Sequence, residues 1–178
     1  MNTFMAVDIG VFIGLYVIYF VISLRKQKLP QIILKTCFWL YIAAVLLLTV
    51  SPMQVISGRG VDFSFSDMNF YAYQYNLDQE VIANVLLFLP FGFLLPLAYP
   101  KMKDFTILFV VAFTLGIEVC QQSVGRVSDL TDVVNNSVGG IIGFYGYVVG
   151  ELGVKVVNKL RKPDEKPKST PKGNNKEK

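Results

Sequence analysis

Five apolar stretches dominate the chain: Val7–Leu24, Ile33–Val50, Val81–Tyr99, Phe105–Gln122 and Val133–Gly150. Each comes close to the roughly 20 residues a helix needs to cross a hydrocarbon core about 30 Å thick. Lipid offers no hydrogen bonds to the backbone, so only helices and closed barrels span it. Runs this long and this uniformly apolar take the helical solution. The expected fold class is all-α, a polytopic membrane bundle of five transmembrane helices. Composition agrees, at 53% hydrophobic and 17% charged residues with a mean hydropathy of +0.47, because a soluble domain needs about a quarter of its residues charged. The first stretch has no basic residue ahead of it and no small-residue cleavage site behind it, so it reads as a retained anchor rather than a cleaved signal.

Histidine is absent, which excludes His triads, His general bases and His metal sites. Gly-rich phosphate loops of the common patterns are absent as well. Cys37 and Cys120 are the only cysteines, too few for a disulfide scaffold or an all-Cys zinc site. No cofactor and no resident metal are expected.

The basic residues fix an expected orientation. Arg25, Lys26, Lys28 and Lys35 follow the first span, Lys101 and Lys103 the third, and nine more the fifth, placing 15 of 17 on one side. Only Arg59 and Arg126 fall on the other. By the positive-inside rule the N-terminus is outside and the C-terminus cytoplasmic. The net +4 then divides into an outer face near −6 and an inner face near +10, which is not a surface for nucleic acid. Three segments are expected: 1–30 as first helix and basic turn, 31–160 as a four-helix membrane domain, and 161–178 as a disordered lysine-rich cytoplasmic tail. The connection 51–80 carries Phe63, Phe65, Phe70, Tyr71, Tyr73 and Tyr75. It reads as an interfacial aromatic belt or as a lid, and its role stays open.

Chemistry concentrates at the outer ends of the last two spans. Glu118 lies inside the fourth span, where burying an acid at the bilayer centre costs about 2.5–3.5 kcal/mol and less toward the interface. Gln122 follows one turn later, and Arg126 sits in the short hairpin beyond. From Asp129 the steps of three and four continue through Asp132, Asn136, Gly139, Gly143, Gly146 and Gly150, which puts all seven on one helix face. Glycines at that spacing admit a second helix closely. The stripe therefore reads as a packing seam whose outer end opens into a polar pocket. Asn84 stands near the outer end of the third span, which also holds Pro90 and Pro96. The plainer roles are a helix cap for Asp129, an ion pair of Glu118 with Arg126, and a cross-helix hydrogen bond for Asn84.

These residues resemble the VanZ-like family of bacterial membrane proteins over about 35–150. The resemblance rests on Asn84 to Pro96, and on Glu118 with Gln121 or Gln122, Gly125-Arg126, Asp129, Asp132, Asn136 and Gly139-Gly140. It implies a multi-pass protein of the bacterial cell membrane, and its namesake is associated with low-level teicoplanin resistance. The implied ligand-binding set is Asn84, Glu118, Gln122, Arg126, Asp129, Asp132 and Asn136. The leading reading is a non-enzymatic protein that binds a polar envelope ligand at the outer leaflet, with a lipid-linked cell-wall precursor or a lipoglycopeptide as partner. In the alternative, an intramembrane enzyme acts on a lipid-linked phosphate or cell-wall precursor. Glu118 is then the candidate catalytic acid or base, and Asp129 with Asp132 could hold a divalent cation. Transport would need alternating access, and no inverted repeat is visible.

Overall fold

The computed structural model describes residues 3–24, 27–50, 79–123 and 129–161. The architecture is all-helical: α1 (Thr3–Leu24), α2 (Leu29–Thr49), α3 (Gln79–Ala98), a 3-10 turn (Pro100–Phe105), α4 (Thr106–Ser123) and α5 (Leu130–Arg161). All five helices are long and apolar enough to cross a membrane. The aromatic connection 51–78, Arg126 with its hairpin, and the lysine-rich tail from 162 onward lie outside the described residues.

Two compact units divide the chain, Met1–Tyr147 and Val148–Lys178. The first holds α1 to α4 and the N-terminal part of α5. In the second, α5 continues to Arg161 with Glu151 and Lys155 paired at 2.8 Å one turn apart.

Helix ends differ from the apolar boundaries for local reasons. α2 starts at Leu29 rather than Ile33 because Pro30 occupies the first turn, where its missing N–H has no helical partner to lose. α5 starts at Leu130, directly after Asp129, and runs eleven residues past Gly150. Hydropathy marks where a helix is oily, whereas caps and charged pairs decide where it stops.

The core of the first unit lies among α2, α3 and α4. Phe38, Val45, Phe88, Phe91, Leu95, Val110 and Ile117 are buried. Phe91 meets Phe38 edge-on at 5.7 Å and stacks on Phe113 at 5.2 Å, geometries that suit the aromatic quadrupole. Leu40, Leu48, Leu86 and Leu108 point outward, all more than half exposed. A water-soluble protein would hide such a surface, and a bilayer solvates it. α3 keeps Pro90 and Pro96 inside its helix, and each removes a backbone hydrogen bond. The Tyr41 hydroxyl of α2 donates to the Leu87 carbonyl at 2.7 Å, supplying a partner in the turn that leads into Pro90.

The glycine stripe of α5 is a backbone-to-backbone seam. A Cβ on Gly139 would collide with the Val85 carbonyl of α3, and one on Gly143 with the Leu89 carbonyl. From the other side, a Cβ on Gly92 would strike the Gly140 carbonyl. Gly140 itself is pressed on the Val110 side chain of α4. Farther along the stripe, Gly146 would make only an ordinary 3.8 Å contact with Phe93, and Gly150 meets nothing within 4 Å. The close seam is therefore shorter than the spacing implies: it runs over Gly139 to Gly143.

Adding one methyl group separates these readings. Gly143→Ala must push α3 and α5 apart and is expected to lose about 1–3 kcal/mol, read as lower thermal stability of the purified protein in detergent. Gly150→Ala is expected to lose nothing.

Candidate functional site

Toward its C-terminal end α4 places Thr114, Glu118 and Gln121 at steps of four and three, and all three are buried. Thr114 is fully buried, Glu118 is 1% exposed and Gln121 7%. α5 answers with Asp129, Asp132 and Asn136, and α3 contributes Asn84.

Three side-chain links tie these helices together. The backbone N–H of Asp129 donates to Glu118 Oε2 at 3.1 Å. Two turns farther into the bundle, Asn136 Nδ2 donates to the Thr114 hydroxyl at 2.9 Å. Between them, Asn84 Nδ2 donates to Asp132 Oδ1 at 2.6 Å. α4 and α5 thus run antiparallel with a polar zipper at their joined ends, and α3 closes it from the side. Where water is scarce, a cross-helix bond is retained because the alternative is an unsatisfied polar group.

Asp129 also caps α5, its Oδ1 accepting the Thr131 N–H at 2.8 Å. The cap satisfies one of the helix's orphan donors and puts an acid at the positive end of the dipole. Gln122 is half-buried one turn beyond Glu118. Its neighbour Gln121 turns toward α2, where Nε2 donates to the Thr49 carbonyl at 3.3 Å and so serves one of the carbonyls left over at that helix's end.

The sequence set is therefore brought together for Asn84, Glu118, Asp129, Asp132 and Asn136. Thr114 joins them through Asn136, and Gln121, Thr131 and Asn135 are further buried polar residues of the same two helices. Only Gln121 was visible from the motif. Thr114 falls four residues before Glu118, and that step was the available signal. Asn135 stands beside Asn136 and is equally buried, at 4% exposed.

Some of this polarity is left open. Among the described residues, Asn135 Nδ2, Asn136 Oδ1 and Thr131 Oγ1 are buried with no hydrogen-bond partner. Such groups cost about 1–3 kcal/mol each when unpaired. Of these, the Asn136 Oδ1 belongs to the amide that bonds Thr114, so the zipper itself keeps one unused acceptor, while Thr131 and Asn135 add a hydroxyl and a donor elsewhere on the same helix. No cluster of three or more acids or cysteines placed to hold a metal occurs among the described residues.

A family model described as VanZ/LLP1 matches residues 12–151. Protein VanZ of Enterococcus faecium is 35% identical over 72 residues, covering 39% of this chain and 44% of that relative. The matched part is thus less than half the relative's length. No solved structure matches the chain.

The links differ in expected strength. Thr114→Val removes one neutral bond and is expected to cost about 0.6 kcal/mol, the usual scale inside a bilayer. Asn84→Leu strips a donor from a carboxyl and is expected to cost about 1.5–3 kcal/mol. Unfolding of both variants and of the double variant checks the order and the coupling.

Proposed function

The chain belongs to the VanZ/LLP1 family, and from that membership we propose an integral protein of the bacterial cell membrane that lowers susceptibility to teicoplanin and related lipoglycopeptides. It does so by holding a polar envelope ligand at the outer leaflet, a lipid-linked cell-wall precursor or the lipoglycopeptide itself.

The observation that carries this reading is the open polarity next to Glu118. An intramembrane ionisable residue is expensive, and its presence points to function. Here it lies one turn from Thr114, whose partner Asn136 keeps a free acceptor. The charge asymmetry of the sequence supports an outward-facing cluster: the α4–α5 connection carries a single basic residue, Arg126, whereas the α3–α4 turn carries Lys101 and Lys103. In this reading Arg126 supplies the forked donor that recognises a phosphate or carboxylate, and Asn84, Glu118, Gln122, Asp129, Asp132 and Asn136 shape the polar wall.

Cells expressing the protein test it directly. Glu118→Gln and Arg126→Ala, at membrane levels matched to the unaltered chain, are expected to return the teicoplanin inhibitory concentration to that of the empty-vector strain. Undiminished protection by both variants would overturn the proposal. Turnover of a lipid-linked phosphate by purified protein, lost in Glu118→Gln, would instead make Glu118 a general acid or base.

A further inference from the structure

At the other end of the helices lies a second feature, remote in sequence from the polar zipper. α1 and α2 enclose an apolar groove of about 350 Å³. Phe12, Tyr16 and Tyr19 form its α1 wall, and Trp39, Leu40 and Ala43 its α2 wall.

The groove is graded along its length. On α2, Lys35, Trp39 and Ala43 follow one another at four-residue steps and so share a face. They present a cation, an amphipathic ring and a small apolar floor over about 12 Å of helix. The Lys35 ammonium lies 5.1 Å from the centre of the Tyr99 ring and donates to Gln27 Oε1 at 2.7 Å. An ammonium has three donors, so capacity remains. Trp39 Nε1 donates to the Tyr99 hydroxyl at 3.1 Å, which ties the groove wall to this cationic end. On α1, the Tyr16 hydroxyl is engaged with Thr36 at 3.0 Å. The Tyr19 hydroxyl is buried with no partner among the described residues.

The order of cation, interfacial aromatics with an unused hydroxyl, and dry slot is the order of an anionic phospholipid read from head to tail. We propose that the α1–α2 groove binds one acyl chain of an anionic bilayer glycerophospholipid, its phosphate held by Lys35 and the Tyr19 hydroxyl. The volume, at the low end for ligand sites, suits a single chain. The lining is uncharged, so specificity comes from the head-end cation. The sequence asymmetry puts that end on the cytoplasmic side, where anionic headgroups attract lysines.

Trp39 is the chain's only tryptophan and lines the groove, so its fluorescence reports on lipid at this position, and saturation at low mole fraction separates a groove-bound lipid from the surrounding bilayer. The full chain is reconstituted in phosphatidylcholine vesicles with increasing fractions of phosphatidylglycerol brominated on its acyl chains, or of equally brominated phosphatidylcholine. Quenching by the phosphatidylglycerol is expected to saturate at low mole fraction, with an apparent affinity about fivefold above that of phosphatidylcholine, the worth of one lysine near an anionic headgroup. Lys35→Gln is expected to abolish that preference and Lys35→Arg to retain it. Ala43→Ile, which fills the floor, is expected to weaken quenching by both lipids. Equal quenching by the two lipids, rising in proportion to mole fraction, would overturn the proposal. So would quenching that disappears as protein density is raised, because a second copy of the chain would then be the occupant.

Discussion

The meeting of α3 and α5, which brings Asn84 to Asp132, depends on two backbones touching. Between α3 and α5, Gly139 and Gly143 lie against the Val85 and Leu89 carbonyls, and Gly92 against Gly140. Lipid gives no hydrophobic drive for helices to associate, so close van der Waals contact and interhelical hydrogen bonds must supply it. The glycines provide the first. The bond between Asn84 and Asp132, one step along the same pair of helices, provides the second. With any larger residue at the seam, α3 would stand off and the amide would not reach the acid.

α4 completes the arrangement by a different device. Against α5 it sets the Val110 side chain on Gly140 and adds polar links, through Glu118 to the Asp129 N–H and Thr114 to Asn136. These bonds sit at the ends of a short connection, where the entropic cost of bringing two helices together is small. The cluster is consequently assembled by local chain geometry on one side and by close glycine packing on the other. Such preorganisation is what a binding site for a small polar group needs, because the donors and acceptors are already held.

Much of this was legible in the sequence. The five helices followed from apolar length alone, and the step pattern from Asp129 to Gly143 correctly indicated one face. The side chain of Asp129 as a cap and that of Asn84 as a cross-helix donor were both foreseeable from residue type. The extent of the seam was not. Gly146 and Gly150 share the spacing of Gly139 and Gly143, but spacing records a face and not how long the partner helix stays against it. Gly92 and Gly140 stand in the family motif, but their contact with each other can be read only when the partner helix is known. Thr114 was hidden in an apolar run for the same reason: a hydroxyl there is unremarkable until Asn136 is seen opposite. The boundaries of α2 and α5 were missed because Pro30 and the Glu151–Lys155 pair extend helix beyond the oily window.

The central claim is that α3 and α5 meet at the polar end through Asn84 and Asp132. Oxidative cross-linking tests it most directly, using Asn84→Cys with Asp132→Cys in membranes, after Cys37 and Cys120 are replaced by serine. This pair is expected to form a disulfide rapidly, while Asn84→Cys with Gly146→Cys, about 21 Å farther along α5 at the helical rise, is not. If the first pair fails to cross-link although both thiols accept a maleimide, or if the second pair reacts as fast, the close α3–α5 contact described here is wrong.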